Sequence, residues 1–177
     1  MDESLLLFLQ QNIRTDFLTP VLMLITSIGH YGAIWLLIAV LFSLHQSTRQ
    51  QGILSLIALL LSGGIAACLK QLVMRPRPFL QIPEILPLGL PPHSFSFPSG
   101  HTVCAFAAAF ILWRTCTGWQ RFLFMFFAIV MAFSRLYAGV HYPTDVLGGI
   151  IVAFVGSSIT WHLRNKIFNQ SKNDRSN

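Results

Sequence analysis

A histidine and an aspartate stand four residues apart in the stretch Tyr137-Ala-Gly-Val-His141-Tyr-Pro-Thr-Asp145. Pro143 lies between them, and proline is tolerated in the first turn of a helix, so Asp145 falls in that turn, where the dipole favours its ionised form. From there its carboxylate can accept a hydrogen bond from one imidazole nitrogen of His141. The other nitrogen is then left as an acceptor or a nucleophile. The plainer reading of the same residues is a pair that caps the helix it precedes.

Two further stretches carry compatible chemistry. Pro98-Ser99-Gly100-His101 opens an apolar run. Ser99 is a natural N-cap there, and Gly100 lets a ligand approach the free amides and positive dipole end of the helix, a setting suited to phosphate. An ordinary turn and cap with a surface histidine is the alternative. Lys70 and Arg77 are seven residues apart, two helical turns, and face one side if the helix persists nearly to Pro76. They would then grip an anion, or else extend to lipid headgroups. Arg135 adds one more cation just before the His-Asp pair. Three segments that each supply phosphate-suited groups weigh more together than any one of them alone.

These groups sit at the ends of apolar stretches, and the composition says what kind of chain holds them. Of the 177 residues, 54% are hydrophobic and 10% charged, where a soluble domain has roughly 25% charged residues. Too little polar surface exists to face water, so the chain is read as an integral membrane protein. The formal charge of +6 suits anionic headgroups or phosphates. Cys68, Cys104 and Cys116 show no metal spacing and no disulfide framework, and are read as packing residues. The N-terminus begins acidic and has a short apolar run, unlike a signal peptide.

The fold class expected is all-α: a bundle of six transmembrane helices preceded by a short interfacial helix over residues 4 to 13. Phe17 to Ile28 and Ala33 to Leu44 read as two short spans joined at Gly29-His-Tyr-Gly32. One long broken helix is the alternative, and it would invert the N-terminal topology. Ile53 to about Met74 is a third span, in which Ser62, Gly63, Gly64, Ala66 and Ala67 are expected to let neighbours approach. Arg75-Pro-Arg-Pro78 ends it, and a proline-rich loop follows to Phe97. Ser99 to Cys116, Trp119 to Tyr137 and Pro143 to Leu163 complete the six. Residues 1–166 are read as one membrane domain and residues 167–177 as a basic, solvated tail.

With six spans, Arg14, Arg49, Arg114, Arg121, Arg164, Lys166, Lys172 and Arg175 fall on the N-terminal side, against Lys70, Arg75, Arg77 and Arg135 on the other. The excess of cations marks the cytoplasmic side. Both termini are therefore expected in the cytoplasm and the phosphate-suited groups at the outer face. Arg75 is the one outer cation set aside from the chemistry. His30, His45, His93 and His162 lack comparable company and are read as interfacial, with only His93 in an outer loop.

Taken together, Lys70 to Arg77-Pro78, Pro98-Ser99-Gly100-His101, and Ser134-Arg135 to His141 to Asp145 resemble the three signatures of the type-2 phosphatidic acid phosphatase superfamily. Residue types and spacings agree throughout, from the third predicted helix to the last. The resemblance implies that His141 attacks phosphorus to form a phosphohistidine, with Asp145 orienting it. It implies that His101 protonates the leaving oxygen and then activates water. Lys70, Arg77, Arg135, Ser99 and the Gly100 amide would hold the phosphoryl oxygens, with no metal or other cofactor.

Within that family the chain is similar to bacterial undecaprenyl-pyrophosphate and phosphatidylglycerophosphate phosphatases. The expected substrate is a lipid phosphate or pyrophosphate in the cytoplasmic membrane, with the polyprenyl pyrophosphate preferred, and Phe79, Phe95 and Phe97 as guards of the lipid path. No nucleic acid is expected as a partner, and no protein partner is inferable. A lipid phosphotransferase and a non-enzymatic anionic-lipid binding or transport protein are the alternatives. The membrane composition argues against the soluble vanadium haloperoxidases that share the signature.

Overall fold

The computed structural model describes residues 2–173, apart from the side chains of Tyr31 and of residues 169–173. All its regular elements are helical. In order they are α1 (Asp2–Phe8), extended by a wider turn over Leu9–Ile13, α2 (Leu18–Ile28), a tight turn at His30–Gly32, α3 (Ala33–Leu44), α4 (Arg49–Val73), α5 (Pro78–Gln81), α6 (Gly100–Thr115), α7 (Gln120–Tyr137) and α8 (Pro143–Asn173). The part of the expected tail beyond residue 173 lies outside the described residues.

Three of these helices, α4, α7 and α8, are long and apolar enough to cross a membrane, and α2 with α3 qualifies as a fourth if the bent pair is one span. Each of the three long helices is two-faced in an unusual sense. One face is packed inward, while Leu60, Leu72, Phe126, Ile129, Ile151 and Phe154 point outward and exposed. Apolar side chains in contact with the surroundings are what a bilayer requires and water penalises.

α6 has no such outer face. It is apolar on nearly all sides, and Ala105, Ala107, Ala108, Ala109 and Ile111 are almost wholly buried between α4, α7 and α8. A helix apolar all round belongs at the centre of a bundle, and its alanines let the surrounding helices come close. Elsewhere the close approach uses different small residues from those expected. Gly63 and Gly64 have nothing packed against them, whereas Gly156 on α8 lies against the buried Ser62 of α4. The helix contact runs through Ser62 and Ala66, one turn apart on the buried face, and bypasses the glycines.

The N-terminal half departs from the six-span expectation. α2 and α3 meet at a bend of 53°, so the chain continues onward where two antiparallel spans would double back. Contacts at both ends bear this out. Before α2, Arg14 Nε donates to Tyr137 O at 3.1 Å, and Thr19 Oγ1 lies 2.8 Å from the Tyr137 hydroxyl, at the end of the bundle where α7 finishes. After α3, Gln51 Nε2 donates to Thr115 O at 3.1 Å, where α6 finishes at the opposite end. The pair thus follows one bent path between the two ends, in keeping with the broken-helix alternative. Residue 2 and the start of α8 share one end, and α8 runs away from it. Arg14 moves to the side of Arg77 and Arg135. Gly29 and Gly32 allow the kink, Gly32 at a φ of +74°, and the contacts at the two ends of the pair, not the length of the connection, hold the ends apart.

Candidate active site

The three signature segments meet at one end of the bundle. α7 ends at Tyr137, and Gly139, with a φ of +70°, turns the chain within four residues into α8. A side chain at Gly139 would be strained and would press on Arg14 and Ile85, so the turn depends on glycine. His141 leads into α8, whose first residue is Pro143. Asp145 is the third residue of that helix and its Oδ2 accepts from the Tyr142 amide at 2.8 Å, the reciprocal capping contact of a first turn. The Ser99 amide donates to Asp145 O at 3.1 Å, which joins the start of α6 to the start of α8.

His141 is 2% exposed and Asp145 fully buried. His141 Nδ1 lies 3.5 Å from Asp145 Oδ2, and its Nε2 lies 3.3 Å from Arg77 Nη1. A guanidinium can only donate and a carboxylate can only accept, so the proton sits on Nδ1 and Nε2 presents its lone pair towards Arg77. Burial, with Arg77 and Arg135 nearby, holds His141 well below the ordinary histidine range against the pull of Asp145. At neutral pH it is an uncharged imidazole, the form a nucleophile needs.

Ser96, in the proline-rich loop, donates from Oγ to Asp145 Oδ2 at 2.5 Å and fixes the carboxylate from the side opposite α8. Arg77 is 4% exposed and is anchored by donations to Val140 O at 2.8 Å and Ser94 O at 2.7 Å. Lys70 Nζ donates to Phe95 O at 2.7 Å. The expectation that Lys70 and Arg77 share a helical face is corrected here. α4 stops at Val73, with Met74 left-handed at a φ of 47°, and the two cations converge because both reach the backbone of the loop over residues 94–95.

His101 and Arg135 form the other side. Arg135 is 7% exposed and its Nη1 donates to Thr26 Oγ1 on α2. His101 lies in electrostatic range of Arg135, His141 and His30, and its ring centre is 5.9 Å from that of His30. His101 Nε2 and Arg135 Nε are both buried without a hydrogen-bond partner. Ser99 holds the N-cap position, yet its hydroxyl makes no capping bond and instead accepts from Thr102 Oγ1 at 3.0 Å. A Cβ built at Gly100 would meet nothing within 4 Å, so the backbone there faces open space.

All eight residues singled out in the sequence thus belong to one end of the bundle, and the hydrogen bonds and electrostatic contacts above link most of them directly. Lys70, Arg75 and Arg77 lie in range of the buried Asp145 carboxylate and Arg135 in range of His141, an excess of cations that suits an anion. Sequence reasoning missed Ser96, Thr26, Arg75 and the neighbourhood of His30. Ser96 and Thr26 are common residues in featureless stretches and carry no signal. Beside Arg77 an open groove of about 440 Å³ is lined by Phe79, Leu80, Pro91, Pro92, His93 and Phe95 among others. Of the three expected guards, Phe97 is not among its walls and packs against Gly148 of α8.

The family model described as the PAP2 superfamily matches residues 51–169. An undecaprenyl-diphosphatase from Sulfolobus acidocaldarius is 29% identical over 128 residues, covering 71% of this chain and 62% of that one. The chain spans less than two thirds of the length of this relative, and 35% and 39% of two others. Among solved structures, LpxE from Aquifex aeolicus superposes with a TM-score of 0.82 at 23% identity, covering 91% of this chain and 94% of that one. A phosphatidylglycerolphosphate phosphatase from Bacillus subtilis superposes with a TM-score of 0.74 at 26% identity, covering 94% and 85%.

Proposed function

The chain belongs to the PAP2 superfamily, and on that premise we propose that it is a membrane lipid phosphatase working through a phosphohistidine. The observation that carries this reading is the orientation of His141: a buried, neutral imidazole whose bare Nε2 faces the Arg77 guanidinium. Arg77, Lys70 and Arg135, with Ser99 and the Gly100 amide, hold the phosphoryl oxygens. Nε2 attacks phosphorus, the bond to the leaving oxygen breaks, and His101 gives that oxygen its proton. Water then attacks the phosphohistidine, gives its proton to His101, and releases inorganic phosphate with His141 restored. Charge that develops on the equatorial oxygens meets fixed cations that need not reorganise.

The open groove beside Arg77 supports a lipid as the carrier of the phosphate, since its walls are mostly apolar. Among lipids, an undecaprenyl pyrophosphate is preferred, in keeping with the relative named for that activity. A phosphatidylglycerophosphate is the second candidate, in keeping with the Bacillus structure.

The reading extends to topology. With α2 and α3 as one bent crossing, and α4, α6, α7 and α8 as four more, the chain crosses five times, with α1 lying at the interface on the site's face. Its apolar side chains support this: Leu6 and Leu9 pack inward while Leu5 and Phe8 stay exposed, as towards lipid. Among the described residues six cations, Arg49, Arg114, Arg121, Arg164, Lys166 and Lys172, then fall on the far side, and five, Arg14 included, on the site's side. The small remaining excess favours a cytoplasmic far side and an outward-facing site, with only the C-terminus cytoplasmic in this scheme. Residues 1–166 act as one domain in this scheme.

The test is phosphate release by the purified protein in detergent from a panel of undecaprenyl pyrophosphate, phosphatidylglycerophosphate and phosphatidic acid. Release is expected to persist in EDTA, to be blocked by vanadate, and to vanish in His141→Ala. Equal release by the variant, or none from any lipid by the native protein, would overturn the reading.

A further inference from the structure

Arg75 has no part in the chemistry above, yet it reaches the middle of the site. Its Nη1 donates to Asp145 Oδ1 at 2.8 Å and to Thr144 Oγ1 at 2.6 Å. Its Nη2 pairs with Asp2 Oδ2 at 3.2 Å, and the guanidinium lies 3.8 Å from the centre of the Tyr142 ring. Asp2 Oδ2 also accepts from Thr144 Oγ1 at 2.5 Å. One side chain therefore ties α1, the segment after α4 and the first turn of α8 into a single network.

The division of labour at Asp145 shows what this network does. Oδ2 takes the Ser96 hydroxyl, the Tyr142 amide and the His141 side. Oδ1 takes Arg75. A carboxylate held through both oxygens cannot rotate, so the oxygen offered to His141 Nδ1 is fixed in place. Arg75 itself is a poor ligand for substrate, because both its terminal nitrogens already face carboxylates and its guanidinium lies over the Tyr142 ring. We propose that Arg75 is a positioning residue, which locks Asp145 against His141 and is in turn held by Asp2, so that the N-terminal helix forms part of the catalytic apparatus. The inference rests on the phosphatase reading.

The charge of Arg75 also bears on the imidazole. The ionisable groups around the His141 and Asp145 pair are Lys70, Arg75 and Arg77 from α4 and the segment after it, Arg135 from α7, His101 from α6, and Asp2 and Glu3 from α1 beside Tyr142. Removing the positive charge at position 75 leaves Asp145 freer to stabilise a protonated His141. The acidic limb of the rate profile should then move to higher pH.

The experiment measures phosphate release from farnesyl diphosphate by the full chain, with Arg75→Gln, Arg75→Lys and Asp2→Asn beside the native protein and His141→Ala. Arg75→Gln is expected to lower kcat about 10²-fold, the cost of a misplaced reacting group, with KM within about twofold. Its acidic limb should shift upward, and Arg75→Lys should restore part of the rate. Asp2→Asn should lower kcat about two- to fivefold, as suits a part-exposed ion pair, and should move the acidic limb slightly downward, the opposite direction, because a negative charge is lost and Arg75 is left to Asp145 alone. A rise in KM at constant kcat would make Arg75 a substrate ligand and overturn the proposal, as would no change in either constant. If Arg75→Gln does not fold, unchanged kcat and pH profile in Asp2→Asn overturn it alone. An inactive native protein, or an active His141→Ala, counts against the phosphatase reading instead.

Discussion

On the α8 side of the site both oxygens of Asp145 are engaged and His141 is fixed between Asp145 and Arg77, whereas across from it His101 Nε2 and Arg135 Nε are buried without a partner. Buried polar atoms left unpaired cost stability, and a protein retains them where a ligand can complete them. The contrast separates two tasks. The attacking side must be rigid before substrate arrives, since the nucleophile gains from an exact tautomer and direction. The leaving-group side must remain able to bond with whatever phosphate and ester oxygens come in.

The strongest way to break this comparison is Asp145→Asn, which keeps the shape but offers the wrong partner to Nδ1. A loss on the order of 10⁴-fold in kcat is expected, by analogy with other tautomer-fixing aspartates; phosphate-release rates that change less than tenfold would show that the attacking side is not pre-set. Next in size is His101→Gln, expected to cost about 10²- to 10⁴-fold on a lipid phosphate. In kcat/KM, which reports the first half-reaction, the loss on an aryl phosphate with a good leaving group should be far smaller, because that step then needs no acid. Equal losses on both substrates would assign His101 to the wrong step. Thr26→Val removes the hydroxyl that holds Arg135. It should raise KM about tenfold, in line with one hydrogen bond to a charged group, with kcat less affected.

The smallest effect is one of pH on stability. His141 binds its proton more weakly when folded than at its ordinary value of 6.5, and burial moves it down to about 3. The folded state thus holds fewer protons than the unfolded one between those values. The stabilisation is complete above about pH 6.5 and declines as pH falls towards 3, by at most about 1.4 kcal/mol per pH unit. Thermal unfolding in detergent between pH 7 and 5 should show a shallower acid slope for His141→Gln than for the native chain. Identical slopes would mean that His141 is not buried as a neutral ring.

Much of the site was legible because its residues are chemically loud. Histidines, arginines and a lysine in an apolar chain have few reasons to exist, and their spacing around Pro98-Ser99-Gly100-His101 and His141 to Asp145 named them. Their helper residues were silent. Ser96 is one serine in a proline-rich loop, and its bond to Asp145 spans 49 positions of sequence. Thr26 reaches Arg135 across 109. Arg75 was visible as a cation and misread as idle, since nothing in Arg75-Pro-Arg-Pro78 says which arginine points at a carboxylate of α8.

By itself, the sequence determined the apolar helices, the breaks at Met74 and Pro78, the capping position of Asp145 and the identity of the groups fit for phosphate chemistry, because each depends on residue type and near neighbours. Tertiary structure alone decided that α2 and α3 form one bent path, that Arg14 and Asp2 lie at the site's end, and that Lys70 and Arg77 converge through a loop. Those outcomes depend on which faces pack against which, and a bend of 53° as against a reversal leaves almost the same local pattern of apolar residues and glycines. The choice is made by contacts such as Thr19 with Tyr137 and Gln51 with Thr115, between residues far apart in the chain.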